Sequence, residues 1–174
     1  SGGVTYGPYT RTDTSDGQSG GSLVYDGYDG KRLGDLAEVS YSASYHHAGS
    51  SSDNGDAPYL RIFTKDSSGN DHDIVFSPSS QPGACYGGGG PSSPECSSSD
   101  RLVKYDVHEG TVRYDDDPGT GPDQPWAAVV TAHKDETITA IKVTTGFSLE
   151  GTQSALLNSL RLEVAGSAPT IFSF

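Results

Sequence analysis

The sequence predicts an all-β protein: a two-sheet antiparallel sandwich of jelly-roll type, with at most one short helix, near 125–134. Three observations carry this expectation. Short runs alternate apolar and polar residues with the period of a half-buried strand. Turn signals built from Gly, Pro, Asp and Ser separate the runs about every ten residues, the spacing of sandwiches and barrels. Ten Tyr and many Thr, Val and Ser favour strands, and Ala, Leu and Glu dominate no long window. At 174 residues the chain has the length of one domain, long enough to bury one sizeable core. No repeat at solenoid or propeller spacing is visible.

Residues 1–20 are polar and Gly-rich, with Val4, Tyr6 and Tyr9 as their only anchors, and are expected to form an arm or an edge strand. The sandwich domain then runs over 21–174. A short strand at 22–25 enters a tight Asp-Gly turn, followed by Leu33 and Leu36. In EVSYSASY (38–45), Val39, Tyr41, Ala43 and Tyr45 share one face and serines the other. PYLRIFT (58–64) separates Leu60 and Ile62 from Tyr59, Arg61 and Phe63, and DHDIVFS (71–77) returns beside it as a hairpin. Residues 78–100, low in complexity and rich in Gly, Ser and Pro, form an excursion from the sheets. RLVKYDV (101–107) and TVRY (111–114) are expected to pair across a His-Glu-Gly turn. PWAAVVTAHKDE (125–136) is the helix candidate, with Pro125 near its first position. TITAIKVTTGFS (137–148), SLRLEV (159–164) and the closing TIFSF supply the remaining strands.

The chain carries 11 basic and 23 acidic residues, a net charge of −12. That balance excludes nucleic-acid binding through a basic face. Seventeen of the acids are Asp and six are Glu, which favours turn and calcium-loop chemistry over helices. No stretch approaches the ~20 apolar residues of a membrane-spanning helix. The opening SGGVTYGPYT and the lack of any methionine point to a mature terminus left by signal-peptide removal, hence to a secreted or cell-surface location. Cys85 and Cys96 bracket a flexible CYGGGGPSSPEC segment with no zinc-ligand spacing, so a disulfide in an oxidising compartment is expected.

The candidate sites follow from the same residues. Asp115, Asp116 and Asp117 stand at the mouth of a strand. Six to eight oxygen ligands make a calcium site, and Asp-rich loops supply them; an Asp-Pro-Gly turn exposed to water is the competing reading. Asp53 and Asp56 offer a second such loop, with the same alternative of Asx turns. Tyr28, Tyr86 and Trp126 lie in or beside loops, where planar rings can stack on sugars; a tryptophan at a helix start also serves as a core anchor. No Gly-x-Ser-x-Gly elbow stands in a strand-turn-helix setting, and acids next to His72 and His108 in sequence point to opposite faces of a strand. No catalytic residue is assigned.

APYLRIF (57–63), TVRYDDDPG (111–119) and LLNSLRLEV (156–164) resemble uncharacterised secreted bacterial β-sandwich domains, over most of the chain from Gly20 onward. The resemblance implies a jelly-roll-like fold, of the kind found in carbohydrate-binding modules and in surface or matrix proteins. It carries over no functional residue. The expectation is a non-enzymatic secreted structural or adhesive protein, with self-association through terminal or edge strands into a filament or matrix. A calcium-assisted carbohydrate-binding module, with glycans as partners, is the alternative.

Overall fold

The computed structural model describes residues 4–10, 19–48, 58–78, 81, 100–115, 122–144 and 152–173. Its strands are β1 (Val4–Thr10), β2 (Ser19–Tyr25), β3 (Leu36–Ala48), β4 (Tyr59–Lys65), β5 (Asp71–Phe76), β6 (Asp100–Asp106), β7 (Thr111–Tyr114), the two-residue β8 (Gln124–Pro125), β9 (Thr137–Thr144), β10 (Thr152–Val164) and β11 (Thr170–Ser173). One helix, α1 (Trp126–His133), falls within the segment expected to hold it. The strands form two antiparallel sheets, a larger one in the order β1-β2-β9-β4-β5-β7-β8 and a smaller one in the order β11-β10-β3-β6.

One core fills the space between them. The larger sheet contributes Leu23, Tyr25, Leu60, Ile62, Ile74, Phe76, Val112, Ile141 and Val143, and the smaller Val39, Tyr41, Leu160, Leu162 and Val164. The period-two reading of β4 holds over the whole strand: Leu60 and Ile62 are fully buried while Tyr59, Arg61 and Phe63 are half-exposed. Burying side chains of this size stabilises by about 1.5–3 kcal/mol each, which offsets the entropy of ordering the strands. Rings also cross the gap: Tyr41 meets Phe76 edge-on at 6.2 Å, and Tyr25 meets Phe172 at 5.3 Å. The Tyr41 hydroxyl donates to the carbonyl of Pro58 at 2.5 Å, tying β3 to the entrance of β4.

Two local expectations are corrected. β6 and β7 do not pair with each other. β6 lies beside β3 in the smaller sheet and β7 beside β5 in the larger, so Val107–Glu109 is a crossover between sheets. Val107 is fully buried at the crossing, and the Asp106 carboxylate accepts from the His108 main-chain N–H at 3.0 Å. A polar turn signal reads the same whether the chain reverses within a sheet or passes between two. β10 begins at Thr152 rather than 159, because its main chain pairs with β3 along almost its whole length, through a bulge between Leu157 and Ser159.

Candidate functional site: a carboxylate beneath stacked histidine and tyrosine rings

The inward face of the larger sheet changes character toward the β4–β5 turn. Along β4 it runs from Leu60 and Ile62 to Thr64, along β5 from Phe76 and Ile74 to His72, and along β7 from Val112 to Tyr114. Successive inward positions lie two residues apart, so the apolar core gives way to a polar rim within one step on each strand. Thr64 and His72 are register partners, as are Ile74 and Tyr114. The C-terminal end of α1 adds His133, and Glu136 follows one turn later.

Glu136 is the centre of this rim and is only 8% exposed. Its Oε2 accepts from the hydroxyl of Thr64 at 2.6 Å, and its Oε1 accepts from the phenol of Tyr114 at 2.5 Å and from Nδ1 of His133 at 2.7 Å. Burial alone would raise its pKa, but these three donors outweigh burial and hold the carboxyl below its usual range. Partial burial and the bond to Glu136 push the Tyr114 phenol well above its ordinary value, so it remains a donor throughout the physiological range.

The rings above the carboxylate are stacked. His133 lies on Tyr114 with centroids 3.6 Å apart and an 18° tilt, and His72 lies within 5.3 Å of Tyr114 at 26°. His72 is in turn held between two aspartates: Nδ1 meets Asp115 Oδ2 at 2.6 Å and Nε2 meets Asp66 Oδ2 at 3.5 Å. Partial burial opposes the charged imidazole, yet the bonds to Asp115 and Asp66 and the charges of Asp115 and Glu136 raise its pKa overall. Asp66 is fixed within the β4–β5 turn, accepting from the side chain and main chain of Asn70 and from the Ser68 N–H. Those donors, the Asn70 side chain foremost, hold its pKa at about 2.

Chemically, the arrangement is a carboxylate–imidazole pair. Glu136 accepts the hydrogen bond from His133 Nδ1–H, which orients the imidazole ring against Tyr114. Both nitrogens of His72 and both oxygens of Glu136 are already engaged within the cluster.

Of the residues singled out from sequence, Asp115 belongs to this site, but as a partner of His72. It adopts a left-handed conformation, φ 52°, while its N–H donates to the Asp73 carbonyl at 2.9 Å. Among the described residues no three His, Cys, Asp or Glu side chains come together as a metal-ion site. Asp116, Asp117, Asp53, Asp56, Tyr86, Cys85 and Cys96 lie outside the described residues. Tyr28 and Trp126 are core residues rather than stacking platforms, only 7% and 5% exposed. The turn after β2 folds the Tyr28 ring under the smaller sheet, where its hydroxyl donates to the Leu162 carbonyl at 3.0 Å. Trp126 packs inward at the start of α1, parallel to His108 at 4.9 Å.

Sequence reasoning missed Thr64, His72, Tyr114, His133 and Glu136 as a group. Only the His133–Glu136 spacing of three residues at a helix end is a local signal. No described helix is long and apolar enough to cross a membrane. Comparison of the chain with protein-family models, with curated proteins and with solved structures finds no match.

Proposed function

We propose that the chain is a non-enzymatic, secreted structural or adhesive protein, a subunit of an extracellular filament or matrix whose copies join along the edges of their sheets. The observation that carries this reading is the edge strand β11. It flanks the smaller sheet on the outer side of β10, and Ile171 on it is 57% exposed, the exposed large hydrophobic residue among those described. An unprotected edge presents a row of main-chain donors and acceptors on which a further strand can add. β1 occupies the corresponding position in the larger sheet, paired with β2 over seven residues. The polar rim supports the same reading, since its groups are spent on one another. A jelly-roll topology, a Cys85–Cys96 disulfide and calcium held by the Asp115–Asp117 or Asp53–Asp56 loops are parts of this proposal.

The test is the solution mass and electron-microscope appearance of the purified chain, with calcium and with a chelator. Open-ended oligomers that disappear in Ile171→Lys, or on removal of residues 1–10, are the expected result. A monomer under both conditions overturns the proposal.

The second reading, a calcium-assisted carbohydrate-binding module, draws on a different surface. Tyr59 and Phe63 stand half-exposed on the outward face of β4 on either side of Arg61.

A further inference from the structure

His108 is a titratable group outside the polar rim around Glu136. It sits in the Val107–Glu109 crossover, where the chain passes from the smaller sheet to the larger. Its ring lies on that of Trp126, with centroids 4.9 Å apart and a 17° tilt. The side chain is half-buried, but its Nε2 is buried and meets no hydrogen-bond partner among the described residues. Buried polar atoms are ordinarily bonded, so this orphan needs a physical reason.

The charge state of the ring supplies one. A neutral imidazole can carry its proton on Nδ1 and leave Nε2 as a lone pair. An imidazolium cannot, because both nitrogens are then donors. Charging His108 in place would bury an N–H without an acceptor, and the burial of the ring adds to that cost. Two effects act the other way: a cation over an indole face is attracted to it, and carboxylates stand nearby. The crossover packs against β3, α1 and β7. β3 carries Glu38, bonded to Arg161, and Tyr41, bonded to the Pro58 carbonyl. β6 carries the exposed Lys104 and ends in Asp106, whose carboxylate accepts from the His108 main-chain N–H. Glu109 follows His108 and is exposed. α1 presents Trp126, and its titratable residue, His133, is engaged with Tyr114 and Glu136. On β7, Arg113 is paired with Asp123, and Tyr114 is bonded to Glu136. Burial outweighs the Asp106 and Glu38 charges and lowers the His108 pKa.

The stack ties the crossover to the start of α1. Beside it, the Trp126 N–H donates to the Gly110 carbonyl at 3.1 Å, and the two residues of β8 pair with Thr111 and Val112 of β7. We propose that His108 is an acid-operated latch on this end of the helix. In its neutral form the ring covers Trp126; once protonated it turns out to water, which gives Nε2 a partner and uncovers the indole while both sheets stay paired. The stability that the closed latch adds is full above the unfolded value of about 6.5 and is lost as pH falls from there through the folded value, opposite in sense to His72.

The test is the emission spectrum of Trp126, the chain's only tryptophan, followed in the full chain from neutral to mildly acidic buffer beside far-ultraviolet circular dichroism. The expected result is a reversible red shift with a midpoint below about 6.5, at constant circular dichroism. His108→Phe keeps a stacking ring that cannot be protonated and should abolish the shift, whereas His72→Gln should retain it. His108→Gln gives the same reading with a smaller side chain if phenylalanine lowers the melting temperature. Quenching without a red shift would mean that the ring is protonated in place, and overturns the latch. A constant spectrum down to the pH at which circular dichroism is lost overturns it as well, as does a red shift that persists in both His108 variants. Self-association enters none of these outcomes, so the latch stands or falls apart from edge-strand assembly.

Discussion

At the scale of single residues, the polar rim sets the strongest expectations. Glu136 sits where a carboxylate is costly unless fully bonded, and three donors meet it. Glu136→Gln replaces one acceptor oxygen by a donor that faces other donors. The expected loss is about 1–3 kcal/mol in urea denaturation, with Glu136→Ala at the upper end; a change within 0.5 kcal/mol would mean that the cluster opens to water. His72 fixes the sign of a pH effect. Its folded pKa is raised, so the stability it adds is fully present below the unfolded value of about 6.5 and is lost as pH rises through the folded value. Asp66 acts in the opposite sense: its contribution is present above about 3.9 and is lost as pH falls toward its folded value of about 2. Melting temperatures of wild type and His72→Gln should therefore differ most in mildly acidic buffer and converge in alkaline buffer. Divergence at alkaline pH would show that the imidazole is held neutral. None of these residues was legible as a site, because Thr64 and His72 are separated by about forty positions or more from Tyr114 and His133, and only strand register and the packing of α1 bring them together. Asp115 was singled out as an oxygen ligand, whereas its partner is an imidazole on a strand that reads as ordinary alternation.

At the scale of elements, what could be read depended on whether the signal was local. β4 and β5 were legible because a period of two, a tight turn and a return strand lie within twenty consecutive positions. The helix was legible from Pro125 and the run after it. The β6–β7 relation was not, since the choice between a hairpin and a crossover is made by partners far away in sequence, β3 and β5. The crossover itself is tightly built. Gly110 follows its buried Val107, and a Cβ on Gly110 would lie 2.6 Å from both Cε2 of Phe76 and Oε1 of Gln81. Phe76 is only 2% exposed and has no room to retreat, and Gln81 is fixed by bonds to the Thr111 N–H and to the carbonyls of Ser77 and Thr111. Gly110→Ala should cost about 1–3 kcal/mol, as overpacked sites do. Thermal denaturation checks this, and a neutral result would mean that Gln81 swings away freely. Pairing the substitution with Gln81→Ala should recover part of the loss, because one of the two clashing atoms is then gone.

At the scale of the whole molecule, the buried hydrophobic residues of the two sheets form one cluster among the described residues, shared between the sheets. Leu23, Ile62 and Ile141 from the larger sheet and Val39, Leu160 and Leu162 from the smaller belong to the same contiguous set. The connections work the same way, since β2 to β3, β3 to β4, β5 to β6, β6 to β7 and β9 to β10 each pass from one sheet to the other. Losing either sheet would strip the apolar face of its partner, so partial unfolding gains chain entropy only by exposing the core that both share. Unfolding should accordingly be one cooperative event. Trp126 offers an internal reporter: it is the chain's only tryptophan, it is 5% exposed, and it sits at the helix that closes the polar end of the core. Its fluorescence reports the α1 end, whereas far-ultraviolet circular dichroism reports the strands of both sheets, eleven among the described residues. The two transitions in urea should coincide in midpoint and slope. A tryptophan transition that precedes the loss of strand signal would make α1 and the rim around Glu136 a separately unfolding unit, and Glu136→Gln should then shift that transition alone.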